Sequence, residues 1–132
     1  MIALDTNVLV RYLVRDDPDQ AEAARVLLEG LTIGRPGFIC REVAIEVVWV
    51  LERVYKFTRT QIANVLIELA STDSLVVEAP DDVTHAALAY GRGEADFSDL
   101  MILSAAQRSG AMPLHTFDRR LARIQGAALV GD

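Results

Sequence analysis

Five short runs suited to strands, none longer than five residues, recur along this chain at residues 1–4, 38–40, 74–78, 113–117 and 127–130. Stretches with helical spacing separate them. Runs this short are strands rather than helices, and strands alternating with helices demand crossover connections. The pattern therefore predicts an α/β fold: a central parallel sheet of four or five strands in a three-layer α/β/α arrangement, covered on both faces. Residues 1–132 read as a single domain, without repeat, low-complexity tract or linker.

Local signals set the expected element ends. Asp5-Thr-Asn turns the chain out of the first strand and caps a helix through Val8 to Val14. Asp17 is the expected cap of a second helix, with Pro18 at its first position and Gln20 reaching back in a capping box. Further helices are expected over 41–56, 60–70, from Asp81 or Asp82 to about Tyr90, and over 97–109. A short one is expected over 119–124.

Against this apolar pattern, five acids stand out: Asp5, Glu46, Asp96, Asp99 and Asp118. Asp5 and Asp118 directly follow strands. Asp96 and Asp99 open a helix, and Glu46 interrupts Val43-Ala-Ile-Glu-Val-Val-Trp-Val-Leu51, where an apolar stripe of Val43, Val47, Val50 and Val54 leaves little polar face. A buried unpaired carboxylate is expensive, so such acids call for donors or a shared cation. In an open parallel sheet ligands bind beyond the strand C-termini, and element order brings all five acids toward that rim. Each has a simpler reading as well: Asp5, Asp96, Asp99 and Asp118 can each cap a helix. Glu42, one turn before Glu46, is an alternative to it. Carboxylates without nearby Cys or His ligands suit Mg²⁺ or Mn²⁺. His85 and His115 read as ordinary core or surface residues.

Composition narrows the partners less. The net charge of −6 argues against coating nucleic acid non-specifically. Twelve of the thirteen basic residues are arginine, Lys56 being the exception; arginine forks onto phosphate, but high-GC coding produces the same bias. Arg11, Arg15, Arg92, Arg119 and Arg120 are candidate phosphate contacts or solvated surface. The lone Cys40 suits a reducing cytoplasm and reads as a small residue at a strand end. No apolar run approaches the ~20 residues of a membrane span, and the opening Met-Ile-Ala-Leu-Asp lacks the basic segment of a secretory leader.

Four segments then carry a resemblance: Ile2-Ala-Leu-Asp-Thr-Asn-Val-Leu-Val10, Ile45-Glu-Val-Val-Trp-Val-Leu51, Ala95-Asp-Phe-Ser-Asp-Leu-Met-Ile102 and His115-Thr-Phe-Asp-Arg-Arg-Leu121. In this order and at this length the chain resembles the PIN-domain nucleases, and within them the VapC-type toxins of bacterial toxin–antitoxin pairs. The resemblance implies a PIN-like fold and a cytoplasmic metal-dependent endoribonuclease that uses Mg²⁺ or Mn²⁺. It implies an RNA substrate, a cognate antitoxin and a homodimer, for whose interface Val48, Trp49 and Tyr55 are candidates, core packing being the competing role. By position, Asp5, Glu46, Asp99 and Asp118 match the family's acidic quartet, with Asp5 and Asp99 its metal ligands and Asp96 auxiliary. Thr6, Asn7 and Thr116 match residues that orient ligands or a bound water.

Three rival readings differ in their chemistry. A receiver domain needs a lysine after a late strand, whereas Lys56 falls mid-chain. A haloacid-dehalogenase phosphatase needs Asp-x-Asp after the first strand, and Asn7 in Asp5-Thr-Asn7 cannot act as the acid. A catalytically inactive PIN-fold binding module would keep the fold without the chemistry.

Overall fold

Strands of two or three residues alternate with helices along the chain. In the computed structural model, which describes residues 1–131, the order is β1 (Ile2–Ala3), α1 (Thr6–Val14), α2 (Pro18–Glu29), β2 (Gly37–Ile39), α3 (Arg41–Arg53) and α4 (Arg59–Ser71). It continues with β3 (Leu75–Val77), α5 (Pro80–Gly91), α6 (Phe97–Arg108), β4 (Leu114–Thr116), a 3-10 turn (Leu121–Arg123) and β5 (Ala127–Leu129). All the strand pairs are parallel, as the alternation required.

The five strands do not share one ladder. β1, β2 and β3 pair in that order, while β4 and β5 form a separate two-stranded ladder. Among the described residues no strand pairing joins β1 to β4, and Ile2 and Ala3 are exposed.

Caps explain several boundaries. Asp17 accepts from Gln20 N at 3.1 Å and Pro18 opens α2. The Gln20 side chain does not complete a capping box; it takes the Arg11 Nε–H at 2.7 Å instead. A capping box does form at α4, between Thr58 and Gln61. The start of α5 also departs from expectation. Ala79 enters it at φ 51°, Pro80 takes the first turn, and neither Asp81 nor Asp82 caps it. Asp82 is drawn away by Arg108 (2.7 and 3.1 Å) and by Arg41 (3.3 Å).

The core gathers Leu9, Val47, Leu51, Ile62, Leu66, Ala87, Tyr90 and Met101 from five helices. Truncating any one of the large members to alanine removes about 2–5 kcal/mol. The buried stripe of α3 is Val43, Ala44, Val47, Val48 and Leu51. It is rotated from the valine stripe expected from sequence, leaving Val54 57% exposed and the strip Glu42, Glu46, Trp49 and Arg53 facing solvent. That rotation follows from what α3 must cover, since α1, α4 and α6 all pack on it.

Candidate functional site

The first group of polar residues is built at the junction of β1, α1 and α3. Asp5 caps α1 by accepting from Thr6 N at 2.8 Å. Thr6 is buried, and its hydroxyl donates to Glu46 Oε2 at 3.1 Å, so one threonine links the cap of α1 to the acid of α3. Asp5, Thr6, Asn7 and Glu46 line an open groove of about 340 Å³ whose far wall is Arg11, Val54 and Tyr55. Glu46 is exposed in this groove rather than buried among valines, and Glu42 is exposed one turn earlier. Helical rotation, rather than a buried charge, accounts for the acid in that apolar run.

A second group lies at the start of α6 and the end of β4. Asp99, in the first turn of α6, is half-buried. Burial, then the nearby Asp96 and Asp118 carboxylates, push its carboxyl above the ordinary aspartate range. Asp96 is the N-cap of α6 by position, but its side chain makes no capping bond. It pairs instead with Arg59 at 3.0 Å and is largely exposed. Asp118 accepts from Arg120 N (2.8 Å) and Leu121 N (3.0 Å), so it does cap the turn that follows. Thr116 Oγ1 accepts from Asp118 N at 2.9 Å and fixes that corner.

None of the five acids is fully buried; Asp5 and Glu46 are linked through Thr6, and the Asp96 and Asp118 carboxylates act on Asp99. Among the described residues, no three His, Cys, Asp or Glu side chains are close enough to hold one metal ion. The donor set nonetheless has the chemistry of a hard-cation site: carboxylate and hydroxyl oxygen only, with like charges crowded around Asp99 that a cation offsets. His85 and His115 are exposed, and neither belongs to either group.

Behind the second group lies a clamp that sequence reasoning missed. Arg59 Nη1 donates to the carbonyls of Tyr90 (3.1 Å) and Ala95 (2.9 Å), while Nη2 reaches Asp96. The guanidinium lies 4.4 Å over the Tyr90 ring. Tyr90 is fully buried, donates its hydroxyl to Glu52 and meets Phe97 edge-on. Burial and then the Glu52 carboxylate push the Tyr90 phenol well up, so it stays a donor. The clamp pins the loop 92–96 and so sets where α6 begins.

Of the arginines read as phosphate contacts or solvated surface, most have intramolecular partners. Arg11 serves Gln20, Asp16 and Tyr55 together, Arg92 pairs with Glu94, and Arg120 donates to the Gly93 carbonyl. Arg15 folds back over Tyr12. Of the proposed interface residues, Val48 is core, Tyr55 is half-buried and bonded to Asp16, and Trp49 is 57% exposed. Cys40 is half-buried at the N-cap of α3, against the core.

The PIN domain family matches residues 2–127. The chain belongs to the PIN-domain family. It is also similar to a VapC ribonuclease of Aquifex aeolicus (strain VF5), with 28% identity over 125 residues, covering 94% of this chain and 92% of that relative. Both polar groups fall inside the matched span of this PIN domain. Among its described residues, no helix is long and apolar enough to cross a membrane.

Proposed function

We propose that this PIN domain is a metal-dependent endoribonuclease of the VapC type, the toxin of a toxin–antitoxin pair. The observation that carries the reading is a set of oxygen donors at Asp5, Thr6 and Glu46 and another crowded around Asp99, within a chain similar to a VapC ribonuclease over nearly its whole length. A cognate antitoxin, a homodimer and a cytoplasmic setting belong to the same reading.

Asp5 and Asp99 are the proposed ligands of Mg²⁺ or Mn²⁺, with Glu46 and Asp118 completing the set and Asp96 auxiliary. When bound, such an ion neutralises phosphodiester charge and acidifies a water. The protein's part is positional. Thr6 holds Glu46 in the groove through its hydroxyl. Asp5 is fixed by its bond to Thr6 N, leaving its other oxygen for a ligand. Thr116 and the amides of Arg120 and Leu121 orient Asp118. Arg59 neutralises Asp96, which suits an auxiliary role. Asn7, at the groove wall, is placed to orient a water or the RNA backbone.

The inactive-module alternative is separated by one experiment. Purified chain incubated with total RNA should cleave it in Mg²⁺ or Mn²⁺, stop in EDTA, and stop in Asp99→Asn. Cleavage that ignores EDTA contradicts the mechanism, and absence of cleavage with either ion favours the binding module.

A further inference from the structure

A second groove, of about 270 Å³, runs between α1 and α2, and it shares Asn7 and Arg11 with the groove that holds Asp5 and Glu46. Asn7 and Arg11 stand one turn apart on α1 and form the border the two grooves have in common. The rest of the second lining is Gln20 with apolar side chains such as Ala23 and Leu27, and no carboxylate lines it among the described residues. Arg11 is its one charged side chain. Three acceptors hold that guanidinium: Nε donates to Gln20 Oε1 at 2.7 Å, and Nη1 to Asp16 Oδ1 at 3.2 Å and Tyr55 Oη at 3.1 Å. Tyr55 donates to the other Asp16 oxygen at 2.7 Å, so Asp16 is spent on this hold. Arg11 Nη2 and the Gln20 amide nitrogen are left as donors without a partner among the described residues, with the Asn7 amide beside them.

Spare donors around a lone guanidinium suit an oxyanion, and a guanidinium already held by three bonds loses little freedom on meeting one. The two grooves thus differ in charge: one offers carboxylates to a cation, and its neighbour offers donors to a phosphate. We propose that Arg11 and Gln20 grip the phosphate next to the one that is cleaved, so that the RNA backbone passes from the acidic groove over Asn7 into the α1–α2 groove. The inference rests on the ribonuclease reading, to which it adds a path for the substrate along α1.

The test is a titration of a labelled oligoribonucleotide with the full chain in EDTA, read by anisotropy over a series of salt concentrations. Arg11→Gln should weaken binding about tenfold at low salt and lower the log–log salt slope by about 0.7, the share of one phosphate contact on a single strand. Arg11→Lys should restore the slope but only part of the affinity, because it keeps the charge and loses the fork. Gln20→Leu should weaken binding severalfold at an unchanged slope, since a neutral donor releases no counterion. Ala23→Asp puts a carboxylate on the exposed α2 wall of the groove and should weaken binding as Arg11→Gln does, which keeps the test valid where loss of Arg11 unsettles the fold. With Mn²⁺ present, the same variants should raise KM with kcat within about twofold. No binding by wild type, a wild-type slope in Arg11→Gln, or wild-type affinity in Ala23→Asp overturns the inference, while a wild type that cleaves leaves the ribonuclease reading intact. Polyglutamate that binds as tightly as RNA, with the same loss in Arg11→Gln, overturns it in favour of an acidic protein segment. A wild type that binds RNA in the expected pattern but cleaves none sinks the ribonuclease reading and leaves a phosphate site.

Discussion

Arg59 ties three acceptors and an aromatic ring to the start of α4, and replacing it with alanine tests whether that clamp positions the second acidic group. The Asp96 ion pair counts for little, about 0–1 kcal/mol, because Asp96 is 62% exposed. The Tyr90 carbonyl keeps a bond from Gly93 N at 2.9 Å. The Ala95 carbonyl, on a residue 1% exposed, loses a charged donor, which costs about 1–3 kcal/mol. Loss of the stacked guanidinium adds about 0.5–1 kcal/mol. Arg59→Ala should therefore destabilise by about 1.5–5 kcal/mol, read as a lower urea midpoint at constant slope. Arg59→Lys should recover less than half, since one ammonium cannot serve three acceptors in a planar fork. Cleavage measured well below the unfolding transition should fall about tenfold or more, because the turn that carries Asp99 loses its anchor. A change within about 0.5 kcal/mol of wild type, or full rescue by lysine, would refute the reasoning.

Three further outcomes are expected. Thr6→Val removes the hydroxyl that holds Glu46, so cleavage should drop while stability moves by about 1 kcal/mol or less; Thr6→Ser should keep activity, and a fully active valine variant would dismiss the contact. Asp82 is held below the usual carboxylate range, first by its hydrogen bond from Arg108. Its contribution is therefore present above the unfolded pKa of about 4 and lost as pH falls through the folded value. Asp82→Asn should destabilise at neutral pH, with a deficit that shrinks in acid. Asp99 has the opposite sign: its raised carboxyl opposes folding while charged, so Asp99→Asn should raise the thermal midpoint at pH 7 while abolishing cleavage. A lowered midpoint would contradict the crowding of acids around it.

What the sequence made legible was local. Asp5 and Asp17 sit beside the amides they cap, and Pro18 fixes its own helix start, so those boundaries follow from neighbours in the chain. The strand runs were likewise visible, although β1 keeps only two paired residues. The role of Glu46 was not readable, because which face of α3 is buried depends on α1, α4 and α6 packing against it. Its apparent isolation among valines was an effect of a stripe read with the wrong rotation. Arg59 and Asp96 lie 37 positions apart, and no spacing rule links them. The partition of the strands into two ladders is a property of tertiary register, which no local pattern records. Motif order placed the acids near strand ends; the assembled fold linked Asp5 to Glu46 through Thr6 and set Asp96 and Asp118 around Asp99.

The central proposal is that one cation is shared by ligands from both groups, Asp5 after β1 and Asp99 at the start of α6. Calorimetric titration of Mn²⁺ into wild type, Asp5→Asn and Asp99→Asn tests it most directly. The expected result is a clear binding heat in wild type and none measurable in either variant. Wild-type affinity retained in either single variant would contradict a shared ion.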